Sequence, residues 1–253
     1  MLVLERRQQI VQLLEKQGSV RVSALAANYG VTEETIRRDL EDLERAGFLK
    51  RTYGGAVAWR GTGYESPYDT RREQQLNEKL SIAKKAAELV ANGETLFLDA
   101  STTTLYLARQ LLGKRDLTVI TNSIQIVSEL GGKRGLNVIA TGGVLRDRSL
   151  SCVGPLAARV LREYHPDWAF VSCKAFSLEK GLLDTNDLEV ELKRLAIANA
   201  RESVALVDSS KFQQPALLQI GPVEIISKLV TDRMDSKMQQ ELTSRGVEVL
   251  TAS

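Results

Sequence analysis

The run Val31-Thr32-Glu33-Glu34-Thr35-Ile36-Arg37-Arg38-Asp39-Leu40 reads as the start of a helix with a defined cap and a defined inner face. Gly30 breaks the segment before it. Thr32 stands where an N-cap hydroxyl accepts from a free backbone N–H of the first turn. Glu33 and Glu34 put negative charge at the positive end of the helix dipole. Ile36, Leu40 and Leu43 recur at i, i+4 and i+7, which turns one face inward. Thr35, Arg37 and Arg38 are left on or near the open side. Short hydrogen-bonding side chains beside guanidinium groups, near the N-terminal half of an exposed helix, suit entry into a DNA major groove. An ordinary charged surface helix would carry the same residues, so the flanking sequence has to decide.

Upstream, residues 4–17 hold Ile10, Val11, Leu13 and Leu14 among polar residues, an amphipathic helix that Gly18 ends. A connector at 19–21 leads to a second helix at 22–29, with Leu25, Ala26 and Tyr29 inward. Gly30 makes the turn, and the opening helix runs from 32 to about 46, closed by Gly47. Two helices joined by a short glycine turn form a helix-turn-helix. Downstream, residues 48–57 read as a strand, a tight turn at Gly54-Gly55 and a return strand. That hairpin is the wing of a winged helix, with Lys50 and Arg51 beside the duplex backbone. Bulk charge adds little, because the whole chain carries a formal +2 and residues 1–60 hold ten Lys and Arg against eight Asp and Glu. The positive charge is local, at Arg37, Arg38, Lys50 and Arg51, and the acids Glu41, Asp42 and Glu44 are expected to lie away from the DNA.

Residues 58–76, with Trp59, Gly61, Gly63, Pro67 and a polar run from Asp69 to Gln75, show no sustained apolar period and read as a linker. From Asn77 the pattern changes. Leu80, Ala83, Ala86, Ala87 and Val90 make a helix that Asn92-Gly93 caps. Short apolar strands at 95–98, 117–120, 137–140, 168–171, 204–207, 228–230 and 247–250 alternate with helices at 102–112, 124–130, 156–164, 187–200 and 235–245. Such alternation, with few polar residues inside the strands, predicts an α/β domain with a mostly parallel sheet covered on both faces. The expected organisation is therefore a DNA-binding domain at 1–57, a linker at 58–76 and an α/β domain at 77–253.

In an open α/β sheet, ligands bind beyond the carboxyl ends of the strands. Those positions hold Asp99-Ala100-Ser101-Thr102-Thr103-Thr104, Thr121-Asn122-Ser123, Thr141-Gly142-Gly143 and Asp208-Ser209-Ser210-Lys211. Hydroxyls and free N–H groups at helix starts, with a lysine nearby, suit a phosphate or another anion. Any one loop could simply cap its helix. Their convergence on one edge argues for a pocket. The segment from Ser172 to Glu189 is polar beyond what packing explains, and Lys174 and Asp184 are expected to shape ligand choice.

Other classes are constrained. The chain of 253 residues has ordinary globular composition, 43% hydrophobic and 26% charged. Its first residues are too short for a signal peptide, and no apolar run approaches the roughly 20 residues that span a bilayer. Two separated cysteines, Cys152 and Cys173, form no disulfide framework, so a cytoplasmic location is expected. One histidine, His165, and two cysteines exclude an ordinary zinc site, and no cofactor is expected.

The N-terminal segment resembles the DeoR family of bacterial transcriptional repressors. The resemblance rests on Arg7, Ile10, Leu14, Gly18, Val22, Leu25-Ala26 and Tyr29-Gly30-Val31, then on Thr35-Ile36-Arg37-Arg38-Asp39-Leu40, Leu43 and Gly47. It extends to Arg51 and Gly54-Gly55-Ala56. Thr32 stands where that family usually has Ser, which keeps a capping hydroxyl, and Tyr53 stands where His is common. Residues 77–253 resemble the effector domain of the same family, whose fold is similar to ribose-5-phosphate isomerase. The resemblance implies a repressor of a carbohydrate operon, released by a phosphorylated sugar or polyol. It implies DNA contacts from Thr32, Thr35, Arg37, Arg38, Lys50, Arg51, Gly54 and Gly55. In the second domain it implies phosphate contacts from Ser101, Thr102, Thr103 and Lys211, a sugar lined by Asn122, Gly142 and Gly143 with Thr121 and Ser123 in the same loop, and Asp99 bonding a hydroxyl. The family usually has Gly where Ser101 stands. A homo-oligomer, dimer or tetramer, would place two winged helices on a repeated operator. The rival reading is a sugar-phosphate isomerase with an appended DNA-binding domain, for which Asp99, Asp184 and Asp208 are the candidate general bases.

Overall fold

The computed structural model describes residues 2–45, 48–58 and 62–252. Gly47, Trp59, Gly61 and the expected end of the third helix at Ala46 lie outside the described residues. The chain divides into two compact units, Met1–Ser66 and Pro67–Ser253.

The first unit runs α1 (Val3–Gln17), β1 (Ser19–Arg21), α2 (Val22–Tyr29), α3 (Glu33–Arg45), β2 (Leu49–Thr52) and β3 (Gly55–Ala58). Its core gathers Ile10, Leu14, Leu25, Ile36, Leu40, Leu43 and Leu49. Each side chain of this size, fully buried, contributes about 1.5–3 kcal/mol. Gly30 ends α2 in the left-handed region at φ 63°, where its N–H reaches the Ala26 carbonyl. The stretch read as a connector, residues 19–21, is instead a strand. It pairs antiparallel with β3, giving the sheet order β1-β3-β2. Three residues are too few to show a period, so only the pairing defines them. Gly55 is the point of closest approach, since a Cβ there would lie 2.1 Å from the Val20 carbonyl oxygen.

The second unit begins with α4 (Tyr68–Glu73) and α5 (Leu76–Ala87). Both overlap the stretch read as linker. Tyr68 is buried, and its ring sits under the Arg71 guanidinium at 5.7 Å. A six-residue helix with one buried ring leaves no apolar period to read. On α5 the inner face is Lys79, Ile82, Ala83, Ala86 and Ala87, while Leu80 is exposed. The expectation that Leu80 faces inward fails because Lys79 takes the inner position. The helix stops at Ala87, ahead of Asn92-Gly93.

The chain then alternates through β4 (Thr95–Leu98), α6 (Thr102–Gln110), β5 (Leu117–Thr121), α7 (Ile124–Leu130) and β6 (Leu136–Ala140). A hairpin of β7 (Val144–Arg146) and β8 (Ser151–Val153) leads into α8 (Pro155–Glu163) and β9 (Trp168–Val171). Next come β10 (Ala175–Ser177), β11 (Gly181–Asp184), α9 (Asp187–Asn199), β12 (Glu202–Leu206) and β13 (Leu218–Gly221). The last elements are β14 (Lys228–Thr231), α10 (Ser236–Ser244) and β15 (Glu248–Thr251). Seven strands form one parallel sheet in the order β15-β14-β12-β9-β4-β5-β6. Side-chain alternation splits its interior in two. Leu96, Leu98, Val119 and Phe170 pack with α5, α6 and α7. Phe97, Ile120, Ala169 and Val171 pack on the other face with α8, α9 and α10. The short antiparallel strands β7, β8, β10, β11 and β13 were not legible as strands. β7, β10 and β13 follow the carboxyl ends of β6, β9 and β12 along the chain. No helix among the described residues is long and apolar enough to cross a membrane.

Candidate functional site

In the first unit, Thr32 caps α3: its Oγ1 accepts from the Thr35 N–H at 3.2 Å and lies 2.9 Å from the Thr35 hydroxyl. Ile36, Asp39, Leu40 and Leu43 point inward, so Arg37 and Arg38 stand on the exposed face. Arg37 donates to Glu33 one turn back at 2.5 Å, an exposed pair that is weak enough to exchange for another acceptor. Thr35 and Arg38 line a shallow cavity of about 270 Å³ with Val3, Arg6, Arg7, Glu34 and Asp39. Asp39 is buried, and it accepts from Arg6 Nε at 2.6 Å and Arg7 Nε at 2.8 Å. This bridge from α1 sets how α3 is held, and the sequence reading did not find it.

The wing carries Lys50 and Arg51 on β2, with Gly54 in the turn and Tyr53 fully exposed at its tip. Arg51 is not a free cation. Its backbone N–H and its Nε each donate to the Glu44 carboxylate at 2.8 Å. Glu44, expected to lie away from the DNA, is thus paired with a wing cation. Glu44 follows Leu40 by one turn, and that turn delivers it to the base of the wing. The bonds from Arg51 hold the Glu44 carboxyl below its usual range.

In the second unit the strand ends do converge. Asp99, just after β4, is buried and fully engaged. Its Oδ1 accepts from the Ser101 N–H at 3.1 Å and the Thr104 hydroxyl at 2.9 Å, and its Oδ2 from the Ser172 N–H at 2.9 Å. It braces two loops, those that carry Ser101 and Ser172. Thr121 is likewise turned into the scaffold, donating to the Leu98 carbonyl at 2.7 Å. Ser123 caps α7, accepting from the Ile126 N–H. Ser101 caps α6, accepting from the Thr104 N–H at 3.1 Å, and Thr102 and Thr103 follow as the first, buried turn. Gly142 is exposed in the loop after β6, and a Cβ on Gly143 would meet the Val153 carbonyl oxygen at 2.5 Å. Lys174 is half-buried, and its backbone N–H bonds to the Leu183 carbonyl of β11.

Three lysines converge on this edge. Lys211 donates to the Ser172 hydroxyl at 2.8 Å and lies 3.4 Å from Asp208. Burial would raise the Asp208 carboxyl, but Lys211, the Ser210 hydroxyl and Lys79 hold it below the usual range. Lys193, on α9, donates to Asp184 at 2.5 Å and to the Ser172 carbonyl at 2.8 Å, and lies 3.4 Å from Asp99. Burial would lower Lys193, but the charges of Asp184, Asp99 and Glu189 outweigh it and keep the ammonium charged. Burial would also raise Asp184, and Lys193 with the Thr185 N–H wins and holds it low. Lys79 donates to the Arg71 and Gln74 carbonyls. Burial, with Lys211 nearby, pulls it down to about 7. The Arg71 carbonyl is shared with the Thr102 hydroxyl at 3.5 Å, which links Lys79 to the start of α6.

Lys79 and Lys193 were missed by sequence reading. A signal existed: each is a lysine on the apolar period of its helix. Arg146 gave none. It donates to Glu189 at 3.0 Å from the hairpin strand β7, whose position only the fold reveals. Among the described residues, no group of three or more His, Cys, Asp or Glu is placed to hold a metal ion.

A winged helix-turn-helix unit followed by an α/β unit with a polar, lysine-rich strand edge defines a ligand-responsive DNA-binding regulator. Residues 6–61 match the DeoR-like helix-turn-helix domain, and residues 74–233 match the DeoR C terminal sensor domain. The chain is 41% identical over 250 residues to the uncharacterized HTH-type transcriptional regulator YulB of Bacillus subtilis (strain 168), covering 98% of this chain and 96% of that one. It is 32% identical over 246 residues to the glycerol-3-phosphate regulon repressor of Escherichia coli (strain K12), covering 97% of each. Among solved structures it is similar to ribose 5-phosphate isomerase A from Methanocaldococcus jannaschii, at 21% identity and a TM-score of 0.41 over 56% of each chain. A likeness that loose carries no argument about activity or ligand. The chain belongs to the DeoR family and is a transcriptional regulator.

Proposed function

We propose that this chain represses a carbohydrate-utilisation operon and leaves its operator when a phosphorylated sugar or polyol binds the second unit. On DNA, Arg37 and Thr35 read bases, each good contact being worth about 1–3 kcal/mol of discrimination. Thr32 and Arg38 flank them, and Lys50, Arg51 and the Gly54-Gly55 turn hold phosphates, which gives salt-sensitive affinity. A homo-oligomer, at least a dimer, matches a repeated operator.

The observation that carries the effector reading is the lysine-rich edge beside the start of α6. Lys211 stands with Ser172 and Asp208, while Lys79 shares the Arg71 carbonyl with Thr102. The N–H groups of the first turn, at Thr102 and Thr103, with the capping Ser101 beside them, suit an oxyanion, and nearby ammonium groups supply its counter-charge. Asn122, Gly142 and Gly143 line the sugar, and Lys174 and Asp184 border it. The kinship with a glycerol-3-phosphate regulon repressor supports a phosphate ester as ligand. The isomerase reading is disfavoured, because Asp99, Asp184 and Asp208 are each committed to a lysine and none is held as a free base. To release DNA, the effector must bind the two states with different affinity.

A thermal-shift screen of sugar and polyol phosphates against their unphosphorylated parents tests this. Phosphorylated compounds are expected to raise Tm, and Lys211→Ala to abolish the rise. Equal shifts from the unphosphorylated parents would contradict the reading.

A further inference from the structure

Asn122, just after β5, is 2% exposed, and its side-chain oxygen has no hydrogen-bond partner among the described residues. Its amide nitrogen faces Glu189 Oε2 at 3.4 Å, a long contact. Turning the amide over would set two acceptors against each other, so the neighbouring carboxylate fixes which atom is the orphan. Glu189 is itself built into place. Arg146 donates to Oε1 at 3.0 Å, the Ser151 hydroxyl donates to the same oxygen, and Ser149 joins the two, accepting from Arg146 at 2.9 Å and lying 2.8 Å from Ser151. Both donors crowd Oε1. Among the described residues, Oε2 keeps only the long amide contact. Two neighbouring acceptors, Glu189 Oε2 and Asn122 Oδ1, are thus buried and short of donors. An unmet buried acceptor is costly, so the arrangement calls for donors supplied from outside the protein.

The placement indicates what supplies them. Glu189 lies one turn before Lys193 on α9, and Lys193 reaches Asp99 and Ser172 at the strand edge where the anion subsite lies. The acceptor pair therefore borders the same site from the β5 side. A phosphate ester bears no donor at its phosphate end; its donors are hydroxyls along the carbon chain.

We propose that Glu189 and Asn122 form the hydroxyl-reading end of the effector site: they accept from neighbouring hydroxyls of a phosphorylated polyol, with Arg146 and Ser151 positioning the carboxylate. This rests on the phosphate-ester reading above and deepens it by separating two subsites. The phosphate is held at α6, Lys211 and Lys79, and the carbon chain is read at Glu189 and Asn122. A site built to bond hydroxyls discriminates strongly against analogues that lack them.

The test compares Kd values by calorimetry on the full chain, wild type and Glu189→Gln, for inorganic phosphate, glycerol 3-phosphate, fructose 6-phosphate and glucose 6-phosphate. The wild type should favour at least one ester over inorganic phosphate. Glu189→Gln, which replaces one acceptor oxygen by a donor, should reduce that preference about tenfold or more. Asn122→Ala should reduce it in the same direction. If Glu189→Gln keeps the wild-type preference, the hydroxyl-reading assignment is overturned while the phosphate reading stands. If it weakens inorganic phosphate and esters by the same factor, Glu189 is structural only and the assignment is again overturned. If wild type binds no phosphate compound, the effector reading itself falls and takes this subsite with it.

Discussion

Arg6 Nε lies 2.6 Å from Asp39 Oδ2, across 33 residues of sequence, with both side chains almost wholly buried. Asp39 directly follows Arg37 and Arg38, so the bond fixes α3 from its inner side while the arginines face out. Removing one partner of a buried pair strands the other charge at a cost of about 3–5 kcal/mol. Asp39→Ala should therefore lower the unfolding free energy of the first unit by that order, read as lost hydrogen-exchange protection in α3. Asp42→Ala removes a partly exposed partner of Arg7 and should change protection by no more than about 1 kcal/mol. Equal effects from the two would refute the role given to Asp39.

Arg37 holds exposed ion pairs to Glu33 and Glu34, so its truncation should leave the fold intact. Operator selectivity is expected to fall, by about 1–3 kcal/mol at the base it reads. Gel shifts against the operator and single-base variants check this. Undiminished selectivity in Arg37→Ala would remove it from the recognition set.

Arg51 is shared between the wing and Glu44, so its charge is partly answered within the protein. Arg51→Ala should weaken binding to all duplexes alike and reduce the slope of log K against log salt by about 1. Glu44→Gln should shift affinity the other way, because it frees the guanidinium for phosphate. Salt titrations of the three proteins on operator and random duplex decide the matter.

Lys193 neutralises Asp184 and Asp99 in the interior of the second unit. The folded Asp184 lies below its ordinary 3.8, so the stability it contributes is present above that value and is lost as pH falls through the folded value. Lys193→Met should destabilise the unit by about 3–5 kcal/mol at neutral pH. The deficit should shrink on acidification, since a protonated carboxyl needs no cation. A deficit that stays constant between about pH 5 and pH 2 would contradict this account.

The helix-turn-helix was legible because its signals are local: a cap at Thr32, a period at Ile36, Leu40 and Leu43, and a turn at Gly30. The parallel strands were legible because each is an apolar run bounded by polar loops. What escaped was set by tertiary contact. Residues 19–21 become a strand only when β3 lies beside them. Tyr68 anchors α4 by one buried ring. In the second site, loop positions such as Asp99 and Thr121 were visible as strand ends. Their side chains turn into the protein because buried backbone groups there need partners, and no spacing rule reveals that direction. Arg146 and Glu189 meet through a hairpin fold-back that sequence separation hides.

The central claim is that a phosphate ester bound to the second unit releases the first unit from DNA. Fluorescence anisotropy measures it directly, using the full chain on a labelled operator selected by the protein from a random duplex pool, titrated with sugar and polyol phosphates. The account predicts that at least one phosphate ester releases the wild type in a saturable way, that its unphosphorylated parent does not, and that Lys211→Ala stays bound throughout. Release of Lys211→Ala at the wild-type concentration, or release by the unphosphorylated parent, would contradict it.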